Sequence, residues 1–199
     1  METSDVLSPQ AADASVRRAT AADLSAIGAV HARAWRAAYA DLLPAQVLAA
    51  LEPAGFAEAW QGAVTTPPSA RHRVLVACSG PTVVGFCAGA PDDGTTSGGA
   101  AGGPSSPDGE IVMLLVDPVH QRRGHASRLL AATVEAMTGD GSAVVRAWSP
   151  ADDGPRRAFL ASAGFGPDGV ARELALPGGS VPPGQPATLR EVRLVAALT

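Results

Sequence analysis

The chain has 199 residues, 46% of them hydrophobic and only 4% aromatic, so one domain with a core of Ala, Val and Leu is expected. A net charge of −4 with no basic run argues against broad nucleic-acid binding. No apolar stretch approaches a membrane span, and the polar start Met1–Ser15 lacks the basic and apolar regions of a signal peptide, so a cytoplasmic protein is expected.

Residues 1–14 are polar and without periodicity, and read as a disordered tail. Val16–Ala19 is a short strand candidate. Thr20 followed by Asp23 resembles a capping box, and Leu24, Ile27, His31, Trp35 and Ala38 then recur at helical spacing. Leu43-Pro44 breaks that helix, Ala45–Leu51 begins another, and Ala54–Val64 forms a third that ends before Pro67-Pro68. Arg73–Ala77 and Thr82–Ala88 are Val-rich strands joined by a tight Ser79-Gly80-Pro81 turn. Cys78 and Cys87 flank this turn. A hairpin would set them opposite residues near 83 and 74, too far apart to bond, so they read as small buried hydrophobes. Asp92–Asp108 is mostly Gly, Ser, Thr, Ala and Pro, a composition for a mobile insertion.

Ile111–Val116 is a continuous apolar run that suits a central strand covered on both faces. Beyond Gly124, the positions Ala126, Leu129, Leu130, Val134 and Met137 mark one face of a helix that stops at Gly139 or Gly141. Ala143–Trp148 is a further strand. Asp152-Asp153-Gly154-Pro155 is a helix start, with Phe159, Leu160 and Ala163 on the inner face and Gly164 as the cap. Val170–Leu176 and Leu189–Leu198 are the last strands, separated by a Gly/Pro loop. This order predicts an α/β mixed sheet with helices on both faces, in one domain over 15–199.

The stretch from Glu110 to Leu130 carries the chemistry. A strand that runs through a glycine-containing turn into a helix aims backbone N–H groups at one spot, a way to hold a phosphate. Glu110 stands at the far end of the same strand. A phosphate cradle and a candidate base on one element point to an enzyme that uses a phosphorylated cosubstrate. The chain has no lysine, so none of its side chains can be a lysine acyl acceptor. No Cys/His spacing suggests a metal site.

Gln121-Arg-Arg-Gly124-His-Ala126 resembles the Q/R-x-x-G-x-G/A signature of the GNAT superfamily of N-acetyltransferases, with a strand before it and a helix after. Phe159-Leu-Ala-Ser-Ala-Gly164-Phe165 resembles the family's F-Y-E-x-x-G-F helix end. The strands around Arg172-Glu-Leu and Glu191-Val-Arg193-Leu resemble its last two, and Trp35-Arg-Ala-Ala-Tyr39 fits its first helical region. The likeness spans about residues 15–198. It implies a mixed, mostly antiparallel sheet of six to seven strands, acetyl-CoA as cosubstrate, and transfer of an acetyl or short acyl group to an amine. The acceptor would be a small molecule or a peptide N-terminus.

The resemblance implies a role for each of several residues. Gln121, Arg122, Arg123, Gly124, His125, Ala126 and Ser127 would bind the pyrophosphate, with Arg128 adding charge. Leu114, Leu115 and Val116 would offer backbone to the pantetheine arm, and Asp153 stands where an Asn often does. Glu110 would be the general base: an ammonium with a pKa of about 10.4 must lose a proton before it attacks a thioester. Two departures are an Ala at the second small position and Leu160 where the family often has a proton-donating tyrosine. Tyr39, the only tyrosine, either packs or reaches the cleft as a donor. His31 reads as a core histidine. Asp92, Asp93, Asp152 and Asp153 would form an acidic rim, or are solvated loop carboxylates. An exposed final strand would allow a homodimer. The other classes open to the sequence are a coenzyme A-binding sensor or scaffold with little catalysis, and a binder of another phosphorylated ligand.

Overall fold

The computed structural model describes residues 14–40, 45–92, 108–175 and 188–198. The expected tail, the break at Leu43-Pro44, most of the Gly/Ser-rich insertion with Asp93, and the last Gly/Pro loop lie outside the described residues.

In chain order the elements are β1 (Ala14–Arg18), α1 (Leu24–Ala38), α2 (Ala45–Ala49), α3 (Pro53–Thr65), β2 (Arg73–Ser79), β3 (Thr82–Pro91), β4 (Gly109–Val116), α4 (His125–Gly139), β5 (Val144–Pro150), α5 (Gly154–Ser162), β6 (Gly166–Ala175) and β7 (Thr188–Ala197). Seven strands form one sheet in the order β1-β2-β3-β4-β5-β7-β6. Only β4 and β5 run parallel; the other described pairings are antiparallel.

Both faces of the sheet are covered. On one, Leu129, Leu130 and Met137 of α4 and Leu160 of α5 pack with Ile111, Leu114, Val145 and Ala147. On the other, Ile27 and Val30 of α1 pack with Val74, Val76 and Phe86, and Trp60 of α3 closes the layer. Helices α1 and α3 meet at Gly28, where a Cβ would lie 2.2 Å from the Pro53 carbonyl oxygen.

The helix ends follow local chemistry. Thr20 N–H donates to Asp23 Oδ2 at 2.8 Å, the reach-back arm of the expected capping box, and Arg17 grips the same carboxylate from β1. Helix α4 ends in a Schellman motif in which Ser142 N–H bonds the Met137 carbonyl and Gly141 takes φ +82°. Helix α5 ends in the same way through Phe165 N–H, the Leu160 carbonyl and Gly164 at φ +89°. This seats Phe165 in the core and leaves Ala163 exposed, contrary to the inner-face expectation for Ala163.

As expected, the cysteines do not face each other: Cys78 lies opposite Val83 and, past a bulge between Ala77 and Cys78, Cys87 lies opposite Leu75, and both thiols are free and buried. Two other expectations need correction. The final strand is not an edge. β7 lies between β5 and β6, because it pairs along its length with β5, so β1 and β6 are the edge strands. Strand β4 is covered on both faces, by Ile111, Leu114 and Val116 in one layer and Met113 and Leu115 in the other, except at one point. A second bulge opposes Ala88-Gly89 to Met113 and Ile111, which leaves Val112 unpaired and 49% exposed.

Candidate active site

Strand β4 builds the site because it has two kinds of neighbour. Toward β3 it is paired from Gly109 to Val116 apart from the bulge. Toward β5 its ladder holds only Gly109–Ile111 against Val145–Ala147. Beyond Ile111 the two strands part, and a wedge opens in the sheet. A strand edge in such a wedge keeps N–H and C=O groups that a ligand can pair with.

At the end of β4 the chain passes Asp117, which is buried, and enters a 3-10 turn at Pro118–His120. Asp117 Oδ1 accepts from Val119 N–H, and its Oδ2 accepts from Arg33 Nε at 2.9 Å. Arg33 of α1 thus fixes the entry to the loop. Gln121 Nε2 donates to the Val116 carbonyl at 3.4 Å, which ties the loop to the strand.

Arg122 adopts φ +62° and Gly124 φ +79°. Such left-handed residues turn successive N–H groups inward into an anion-binding concavity. Gly124 is the N-cap of α4 and supplies no side-chain cap, so the first N–H groups of α4 face outward from an exposed loop. His125 is buried and Ala126 half-buried, while Ser127 is exposed in the first turn. Arg128 Nη1 donates to the Arg123 carbonyl at 3.1 Å, so a guanidinium spans the loop. The His125 pKa is lowered by burial first, and then by Arg128, His120 and Arg123, which also marks the loop as cationic. Every part of this loop suits a diphosphate.

A cavity of about 550 Å³ opens beside the wedge. Val112, Met113 and Leu115 of β4 form its floor, Trp35 and Tyr39 at the end of α1 one wall, and Trp148, Arg172 and Glu191 the other. Asp152, Asp153 and Arg156 come from the start of α5. The Arg172 guanidinium lies 4.0 Å from the Trp148 ring centroid and is ion-paired with Glu191 at 2.8 Å.

The residues expected from sequence fall into three places. Gln121–Ser127 form the loop. Leu115, Tyr39 and Asp153 line the cavity. Leu114 and Val116 point to the α4 face, and their carbonyls accept from Arg156 Nη1 and Gln121 Nε2, both at 3.4 Å. Asp153 is first of all a helix cap, its Oδ1 accepting from Arg156 N–H at 2.8 Å. Burial raises the Tyr39 pKa, and the Glu191 charge raises it further, so the phenol stays protonated at neutral pH.

Glu110 is 5% exposed, beside Arg146 in the β4–β5 register and two residues before Val112. It is not among the residues that line the cavity. Asp92 is no rim residue: it and Asp108 clasp Arg146, each at 2.7 Å, at the stem of the insertion. Leu160 is buried in the core beside Phe165, so no proton donor comes from that position.

Trp148, Arg156, Arg172 and Glu191 went unassigned in the sequence because they meet only through the strand order. Arg156 did leave a trace: it is a cation in the first turn of a helix, the end that repels cations.

The model of the Acetyltransferase (GNAT) family matches residues 30–165, and the chain belongs to that family. No curated protein matches it by sequence. Among solved structures it is similar to the PaiA N-acetyltransferase of Thermoplasma acidophilum in complex with coenzyme A, at 14% identity and a TM-score of 0.66, over 93% of this chain and 99% of that one. It is also similar to the ribosomal-protein-alanine N-acetyltransferase of Brucella melitensis (21%, 0.64, 92% and 99%) and the ribosomal-protein-S18-alanine N-acetyltransferase of Escherichia coli (15%, 0.61, 94% and 94%). These likenesses establish the seven-stranded fold. Among the described residues, no helix is long and apolar enough to cross a membrane.

Proposed function

We propose that this chain moves an acetyl group from acetyl-CoA to an amine by direct attack within a ternary complex. The observation that carries the reading is the conjunction of two features on one strand. The β4–β5 ladder opens after Ile111, and the same strand leads into the cationic loop at Arg122–Ala126. Acetyl-CoA is the cosubstrate, with its diphosphate on the loop and its thioester directed along β4 toward the bulge at Val112.

Glu110 is the proposed base. Its carboxylate is on the strand that carries Val112 and takes the proton of the acceptor ammonium through water. The freed amine attacks the thioester carbonyl, a backbone N–H of the bulged strand steadies the oxyanion, and the C–S bond breaks. The departing thiolate belongs to a thiol with a pKa near 8.5 and leaves without strong acid assistance. Tyr39, kept protonated in the cavity wall, is the donor available to it. Both cysteines are buried, and burial pushes the Cys87 pKa up to about 12, which disfavours a covalent acyl-cysteine route.

The acceptor is a small amine or a peptide N-terminus. The test is release of free thiol from acetyl-CoA in the presence of amines and N-terminal peptides, alongside calorimetry of acetyl-CoA binding. Thiol release that depends on the amine is expected. Binding without turnover on every amine would leave a coenzyme A-binding module instead.

A further inference from the structure

Arg156 breaks several local rules at once. It sits in the first turn of α5, whose N-cap is Asp153, where the helix dipole disfavours a positive charge. It is half-buried and lines the cavity. Its Nε is buried without a hydrogen-bond partner, and Nη1 has one long contact, 3.4 Å, to the Leu114 carbonyl. Among the described residues it has no ion pair. Of the carboxylates around it, Asp153 caps α5 and Glu191 pairs with Arg172, while Asp152 is exposed on the rim. The other cavity arginine, Arg172, is neutralised by Glu191 and stacked on Trp148.

A planar fork of donors with a buried, unpaired N–H is matched by a carboxylate or a phosphate, and with the diphosphate of the cosubstrate assigned to the loop at Arg122–Ala126 the carboxylate is the partner left for the cavity. Sites where a sequence accepts such local conflicts are the sites where function is expected.

We infer that Arg156 is the receptor for a substrate carboxylate that enters the cavity. The inference rests on the acetyl-transfer reading and names the chemistry of its second substrate. The carboxylate has two sources: the acceptor, which would then be an amino acid or a relative of one, or the far end of a dicarboxylic acyl group on coenzyme A. The contact to Leu114 is long enough to be given up without a large penalty. The bulge at Val112 lies two residues away from Leu114, roughly 7 Å of strand. A ligand held at Arg156 therefore keeps its amine or acyl carbon within reach of the bulge.

The experiment compares amino acids with their amides as acceptors for acetyl-CoA, and succinyl-CoA with acetyl-CoA on a neutral amine. Each pair is run on the wild type, Arg156→Gln and Arg156→Lys. The expected result is a preference for the carboxylate-bearing member of one pair, reduced roughly tenfold or more in KM by Arg156→Gln. The preference should be lost in part by Arg156→Lys, which keeps the charge but not the fork. Should the Gln variant fail to fold, the Lys variant carries the same test with a smaller loss. Which pair shows the preference names the source.

A separate binding arm titrates amino acids and succinate against the fluorescence of Trp35 and Trp148 without acetyl-CoA, and calorimetry follows acetyl-CoA alone. No carboxylate response in the wild type, or equal responses in wild type and Arg156→Gln, overturns the inference even when acetyl-CoA binds. Absent acetyl-CoA binding with an Arg156-dependent carboxylate response overturns the acetyl-transfer reading instead.

Discussion

Acidification should destabilise this protein through His31, and the size of the effect can be worked out. His31 is 5% exposed on α1, stacked on Phe56 at 3.9 Å between ring centroids. Trp60 Nε1–H donates to its Nδ1 at 2.9 Å. An indole N–H only donates, so Nδ1 is the acceptor and the neutral ring carries its hydrogen on Nε2. Protonation would abolish that acceptor and place a charge among aromatic rings. Burial accordingly lowers the pKa from 6.5 to about 4. Between those values the unfolded chain holds a proton that the folded chain lacks. The stability that neutral His31 contributes is complete above about pH 6.5 and is lost as pH falls toward 4.

From pH 7.5 to pH 5 the loss is about 2 kcal/mol, of roughly 3 kcal/mol in all. For a protein of this size that lowers Tm by roughly 4–8 °C. Calorimetric melts at pH 7.5 and 5 should show it. His31→Gln, which can accept from Trp60 but does not titrate, should lose most of the difference. His125, also shifted down, adds a slope of the same sign and is removed by His125→Gln. Asp23, whose pKa is lowered chiefly by the Arg17 hydrogen bonds, loses its contribution only below the carboxylate range, outside this window. Equal Tm losses in the wild type and His31→Gln would refute the argument.

Gly124→Asp forces a non-glycine residue to φ +79° at about 1–2 kcal/mol and sets a carboxylate in the loop, so calorimetry should show acetyl-CoA affinity down at least roughly tenfold. The added Cβ itself meets only the end of the Arg128 side chain, so the fold should survive with Tm lower by a few degrees, about 2–4 °C per kcal/mol. Glu110→Gln should cut kcat by about 10²–10⁴-fold with acetyl-CoA affinity little changed, and equal turnover for mutant and wild type across pH would remove Glu110 from the mechanism. Gly28→Ala drives a methyl into the Pro53 carbonyl, a backbone clash that should destabilise by about 1–3 kcal/mol or more in urea titrations, far from the site.

The helices and strands were legible because each carries a local signal. Asp153 capping α5, Gly164 closing it and the apolar spacing along α4 all act within a few residues. The loop was legible for the same reason, since strand, glycine and helix follow one another in the chain. The cavity was not. Trp148 and Glu191 come together because β7 inserts between β5 and β6, and strand order leaves no mark in either segment. The two bulges were equally silent. A one-residue insertion in a ladder alters which side chains face the cavity without altering the apolar run that announces the strand. Val112 shows the consequence: it belongs to the most continuous hydrophobic stretch of the sheet, yet it is 49% exposed.

That exposure follows from how the sheet is built, and it ties the fold to the proposed chemistry. A parallel pair cannot be closed by a hairpin, so β4 and β5 are joined through the loop and α4. The crossover leaves from the end of β4 where β5 has already parted from it, while the paired end holds Glu110 beside Arg146. The proposed diphosphate cradle, the open backbone and the carboxylate are therefore spaced along one strand and the loop that continues it into α4. At about 3.3 Å per residue the open part of β4, from Val112 to Val116, is roughly 16 Å of backbone along which a pantetheine arm can lie. The bulge at Val112 then turns the strand between the carboxylate and the open edge, so that the cavity floor faces the acceptor side. Deleting Val112 would leave Met113 opposite Ala88 and Leu115 opposite Phe86, each on its present face, and remove only the exposed bulge residue; this should abolish thiol release while leaving diphosphate binding at the loop. Retained turnover in that deletion would show that the bulge does not set the position of the reaction.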